Sequence, residues 1–135
     1  MYKNILVPIA FDSDAKAEAA LAVARRLADD DSTITLLHVM EQVPGYAISY
    51  LPADYQAQSR AAVQAELDGL ATRLSHARGV VVEGHSGRTI LDYAEHNECD
   101  MIVIASHRPG MGDFLIGSTA TTVVRHAKCG VHVLR

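Results

Sequence analysis

Apolar runs alternate with helical patterns along the whole of this 135-residue chain. Asn4 to Ala10 (NILVPIA) reads as a buried strand, and Asp12, Ser13 and Asp14 after it are good helix starters. The spacing of Ala20, Val23, Leu27 and Ala28 predicts a helix over Ala15 to Ala28, ended by Asp29 to Asp31. Thr33 to Val39 (TITLLHV), rich in β-branched and aliphatic residues, is a second strand. Glu41 to Pro52 is irregular, and Val63, Leu67, Leu70 and Leu74 then line one face of a second helix. Val80 to Glu83 is a short third strand, Gly84 to Gly87 turns into a helix holding Ile90, Leu91 and Ala94, and Met101 to Ala105 (MIVIA) is a fourth strand. A loop from Ser106 to Ile116 carries Pro109, Gly110 and Gly112. Gly117 and Ser118 open a last helix with Ala120, Val123, Val124 and Ala127, and Val131 to Leu134 is the final strand.

Five strands alternating with four helices require parallel pairing, because each crossover supplies a covering helix. Strands that are apolar on every side are buried on both faces. Right-handed crossovers then give an α/β, doubly wound, five-stranded parallel sheet of order 3-2-1-4-5, a single Rossmann-like domain over residues 1–135. Such sheets take ligands beyond the carboxyl ends of the strands, where strand order reverses. Pro8 to Asp14 and Ala105 to Thr119 therefore face each other across one crevice.

Composition narrows the chemistry. The formal net charge is -4 with no basic run, which disfavours a nucleic-acid binder. No segment approaches the ~20 apolar residues of a membrane span, and no signal-peptide core is present, so a cytoplasmic protein without membrane insertion is expected. Cys99 and Cys129 form no CxxC pair and read as reduced, buried thiols. Seven histidines give no HxxxH and no cluster with the cysteines at ligand spacing, so no metal site is expected; His85 and His107 lie near strand ends. No G-x-S-x-G elbow and no pair of carboxylates names a catalytic residue.

The crevice carries the candidate binding chemistry. Gly117-Ser118-Thr119 opens the last helix, where free amides, the helix dipole and two hydroxyls suit an oxyanion, with Arg108 as the added cation. A plain loop end and helix cap is the commoner use of such residues. Valine at position 117 is expected to block a phosphate while sparing the fold. Neither GxxxxGK[ST] nor GxGxxG is present, which excludes a P-loop and a dinucleotide fingerprint. Tyr46, Tyr50 and Tyr55 are expected to pack on the end of the sheet, the alternative being a lid or partner surface.

Over its whole length the chain resembles the universal stress protein family: ILVPIA, LLHV, EGHSGRTIL, IVIASH and LIGSTATTVVRHAKCGVHVLR stand in the family's order. The nucleotide-binding branch of that family carries G-x2-G-x9-G-[ST]. Here Gly117-Ser118 closes the pattern, Ala105 replaces the first glycine, and the loop is one residue short after His107. The ASHRP loop is similar to that of the small enterobacterial members, which accommodate adenine nucleotides. The resemblance implies ATP or AMP as ligand, with Mg2+ on the phosphates. It implies a site made by Pro8, Ile9, Ala10, Val39, Ala105, His107, Arg108, Gly110, Gly117, Ser118, Thr119 and Ala120. Asp12 either substitutes for the acid the family has at Ala10 or caps the helix. The last strand, Val131, His132, Val133 and Leu134, is an edge suited to a two-fold homodimer, and the resemblance points the same way. A regulatory, nucleotide-binding dimer is the first reading. A nucleotide-free dimerisation module is the second, and a slow ATPase or phosphotransferase the third.

Overall fold

The computed structural model describes residues 1–11, 13–106 and 117–135. Strands β1 (Tyr2–Pro8), β2 (Ala28–Met40), β3 (Ala77–Glu83), β4 (Met101–Ala105) and β5 (Gly130–Leu134) form one sheet in the order β3-β2-β1-β4-β5. Every pairing is parallel. The crossovers carry α1 (Asp14–Leu27), α3 (Tyr55–Ala71), α4 (Ser86–His96) and α5 (Ser118–His126), and a one-turn helix, α2 (Gly45–Ile48), lies in the stretch read as irregular. The expected topology is the observed one.

Alternation along the strands divides the core into two layers. Ile5, Val7, Leu36 and Val103 pack with Ala20, Leu21 and Leu67, so α1 and α3 cover that face. Leu6, Leu37, Ile102 and Ile104 pack with Ile90, Ala94, Ala120 and Val123, so α4 and α5 cover the other. This is why the strands read as unbroken apolar runs. The amino end of α4 packs on the middle of α5, where a β-carbon on Gly87 would lie 2.9 Å from the Thr122 methyl. α4 follows β3 and α5 follows β4, so both helices begin on the side of the strands' carboxyl ends.

Several boundaries differ from the sequence reading. Asp29 to Asp31 do not end α1; they lie inside β2, which begins at Ala28. Lys3 on β1 holds this acidic run, its Nζ donating to Asp31 at 2.7 Å and Asp29 at 3.2 Å across the strand pair. β1 ends at Pro8, two residues before the apolar run does, and α3 stops at Ala71, leaving Leu74 in the turn that follows. Tyr46 and Tyr50 do not pack on the sheet: they are 82% and 86% exposed.

Candidate functional site

The crevice arises from a split in the sheet. The β1–β4 ladder runs through Ile5↔Met101 and Leu6↔Ile102. β1 continues beside β2 to Pro8↔Leu37, and β4 beside β5 to Ala105↔Leu134. The two central strands thus keep their outer partners while parting from each other, at the point where strand order reverses.

A cavity of about 380 Å3 occupies the opening, within the range of small-ligand sites. Pro8, Ile9 and Ala10 line it from the end of β1, and Leu37, His38, Val39 and Glu41 from the end of β2. Ile104, Ala105 and Ser106 line it from β4, and Gly117, Ser118, Thr119 and Ala120 from the start of α5. Lys16, Ala17 and Ala20 of α1 and Ser86 and Ile90 of α4 complete the walls. Asp12, His107, Arg108 and Gly110 lie outside the described residues.

At one end the wall offers main-chain hydrogen bonds. Leu37's carbonyl faces β1, where it accepts from the Ile9 amide at 2.8 Å, and Met40's faces β3, accepting from Gly84 at 3.0 Å. Backbone direction alternates along a strand, so Val39 aims its N–H and C=O toward the β1 side. β1 has already ended at Pro8. Val39, which lines the cavity, thus presents one main-chain donor and one acceptor on that side, a pair that can read the edge of a planar heterocycle.

The His38 ring steadies this end. Its Nδ1 lies 2.7 Å from the Ile9 carbonyl, and Phe11 stacks obliquely on the ring with centroids 5.2 Å apart. A carbonyl only accepts, so Nδ1 carries the proton, and Nε2 of the neutral ring is left as an acceptor. Glu41 and Ser86 meet nearby, the Ser86 hydroxyl donating to Oε1 at 3.5 Å.

At the other end stands the amino terminus of α5. Gly117 is its N-cap, with no side-chain cap bond. The Gly117 amide is committed to the Ser106 carbonyl, so the amides that face an anion are those of Ser118, Thr119 and Ala120, in the first turn. The hydroxyls of Ser118 and Thr119 add donors. Lys16 reaches the same cavity, its ammonium shielded from solvent. That supplies positive charge which the chain's overall balance does not.

Five wall residues with polar side chains were not read as site residues in the sequence: Lys16, His38, Glu41, Ser86 and Ser106. The available signal was small. Ser13 caps α1 by accepting from the Lys16 amide at 3.3 Å, which fixes the turn that points Lys16 inward. His85 is the N-cap of α4 and does not line the cavity. Among the described residues no group of three or more His, Cys, Asp or Glu is placed to hold a metal ion. No described helix is long and apolar enough to cross a membrane.

Among the described residues β5 is a sheet edge, paired with β4 alone. Leu134's carbonyl faces β4, accepting from the Ser106 amide at 2.8 Å. Alternation then turns the main-chain groups of Val131 and Val133 outward, while the side chain of His132 is exposed and those of Val131, Val133 and Leu134 are half-buried.

An open, doubly wound sheet with a split at its switch point and a helix amino terminus on the split is the α/β architecture that takes ligands at the carboxyl ends of its strands. Residues 1–135 match the profile of the universal stress protein family, and the chain belongs to it. Universal stress protein G of Escherichia coli O157:H7 is 30% identical over 142 residues, covering 100% of both chains. The solved structure of universal stress protein UspA from Lactobacillus plantarum is 28% identical with a TM-score of 0.73, covering 99% of this chain and 98% of its own. Proteins of this fold have been solved in complex with cAMP, with dAMP and with AMP. The AMP complex, from Arabidopsis thaliana, is 16% identical with a TM-score of 0.65 over 98% of this chain and 90% of its own.

Proposed function

We propose that this protein binds an adenine nucleotide, ATP or AMP, in the crevice between β1 and β4 and acts in the cytoplasm as a regulatory homodimer joined through β5. One observation carries the reading: the two ends of a single cavity offer the two chemistries a nucleotide needs. The main chain of Val39 meets the base edge, and the first-turn amides of α5, with Lys16, meet the phosphates. Solved proteins of the same fold that hold AMP, dAMP or cAMP support a mononucleotide as the common ligand. With ATP, a Mg2+ ion on the outer phosphates would be held by the ligand rather than by a cluster of carboxylates. No described side chain stands as a general base beside the α5 end, so hydrolysis is expected to be slow.

Calorimetric titration of nucleotide-free protein tests this. Binding of ATP and AMP is expected, and no heat at millimolar ligand refutes it. Thr119→Glu separates the anion end from the rest. A carboxylate in the first turn favours the helix itself but repels phosphate, so affinity for AMP should fall about tenfold or more with adenosine affinity unchanged. Equal loss for both ligands would place the phosphate elsewhere.

A further inference from the structure

At the opposite end of the sheet, beneath α4 and α5, lies a second cavity of about 210 Å3, lined among others by Cys99, Cys129, Ile102 and His126. Both cysteines are free, and both belong to the apolar cluster on that face: Cys99 is buried in it and Cys129 packs against it. The sequence placed them 30 positions apart; parallel pairing of β4 with β5 brings them together. Met101 pairs with Gly130 at the first rung of the ladder, and Cys99 and Cys129 stand two residues and one residue before it, lining the same cavity and near enough for the charge of one to bear on the other. Carrying the strand spacing and one residue's rise back from that rung gives α-carbons roughly 6 Å apart, inside the window a disulfide requires.

We propose that Cys99 and Cys129 form a redox-active dithiol that closes to an intrachain disulfide in the presence of a hydroperoxide. Cys129 is the less buried and meets the oxidant first. Its thiolate attacks one peroxide oxygen, the O–O bond breaks, and the departing oxygen leaves with a proton as water or an alcohol. That leaves a sulfenic acid on Cys129. The Cys99 thiolate then attacks the Cys129 sulfur, the S–S bond forms, the S–O bond breaks, and hydroxide takes up a proton to leave as water. Two thiols are oxidised by two electrons, and one hydroperoxide is reduced. The bond would staple the ends of the segment that carries Ser106 and α5, which is the segment that supplies the anion end of the crevice.

The environment sets the speed. Burial first, and the neighbouring Cys129 second, push the Cys99 thiol up to about 11, and burial also raises Cys129. Both sulfurs are therefore mostly protonated near neutrality, and the reaction accelerates as pH climbs toward that value. Such a pair answers sustained oxidation rather than traces of oxidant.

The test treats the folded, full-length protein with hydrogen peroxide at mildly alkaline pH. The expected product has lost two hydrogens in intact mass, runs as a monomer without reductant, yields one peptide linking Cys99 to Cys129, and reverts with dithiothreitol. Its melting temperature should rise by roughly 5–10 °C, as a closed loop of this length confers. Cys129→Ser, at the more exposed position, should leave Cys99 a free thiol under the same treatment. Oxygen adducts on Cys129 with Cys99 still free, disulfide-linked dimers, untouched thiols, or a lowered melting temperature would each overturn the proposal.

Discussion

The Ser106 carbonyl accepts from the Gly117 amide, and a β-carbon on residue 117 would stand 2.9 Å from that same oxygen. The carbonyl belongs to a buried residue whose own amide and hydroxyl are both tied to Leu134, at 2.8 and 2.7 Å. It cannot retreat. Glycine at 117 is thus required by the chain's own main chain, whatever a phosphate needs, and the expectation that valine would spare the fold is corrected. Gly117→Val should cost about 1–3 kcal/mol of stability through overpacking, read as a lower denaturant midpoint. A variant as stable as the parent would show that Ser106 yields. Loss of nucleotide binding in this variant alone would say nothing about the ligand.

His38 bridges β2 to the end of β1 through one ring nitrogen. Asparagine can place an amide N–H where Nδ1 stands, whereas glutamine reaches only to the position of Nε2. His38→Asn should therefore keep most of the bond to Ile9, and His38→Gln should lose it, at a cost of about 0.5–1.5 kcal/mol. Chemical denaturation of both variants checks this. Equal stability of the two would show that the ring holds its place by contact with Phe11 rather than by the hydrogen bond.

The topology was legible because strands buried on both faces leave a periodicity-free apolar signature, and regular helical crossovers admit one handedness. Val39 could be named from resemblance, yet the reason it matters depends on where β1 stops relative to β2, a register that no local pattern encodes. Asp29 to Asp31 misled because an acidic run is unfavourable against the carboxyl end of a helix dipole and so reads as a stop; the amino-terminal ammonium on Asp29 and the Lys3 ammonium on Asp29 and Asp31 hold the run in a strand instead. Lys16, His38, Glu41, Ser86 and Ser106 come from four different segments, α1, the end of β2, α4 and the end of β4, and each looks like an ordinary helix, strand or turn residue in its own segment. Tyr46 and Tyr50 looked like residues needing cover, and they stand 82% and 86% exposed.

Acid should weaken the fold through its surface pairs. Hydrogen bonding from Arg73, reaching 2.6 Å to Oε2, holds the Glu18 carboxyl below its ordinary 4.5. Lys3 does the same for Asp31 from 3.8, and Lys128 for Glu95 from 4.5. A depressed folded value means the unfolded chain binds the proton more readily, so this stability is present above the ordinary values and is lost as pH falls through the folded ones. The melting temperature should decline below about pH 4.5, and the decline should shrink in high salt, because all of these groups are exposed to screening ions. Glu18→Gln should flatten part of the slope. A decline of the same size at every ionic strength would point instead to a buried group.

If β5 joins two copies through its free edge, the groups that pair must be those turned away from β4, namely the main chains of Val131 and Val133. Proline at 133 removes one outward N–H and no bond of the β4–β5 ladder, whose contacts at this end run through Leu134. Val133→Pro should therefore leave the monomer folded while breaking two symmetry-related hydrogen bonds in an antiparallel dimer. Sedimentation over a range of concentrations should show the parent as a dimer and the variant shifted toward monomer, with unchanged secondary structure by circular dichroism. His132→Pro is the matching control, since it strikes the ladder to β4 and should unfold the edge strand itself. A variant at 133 that stays fully dimeric would place the contact on another surface, and a monomeric parent would remove β5 from the assembly question altogether.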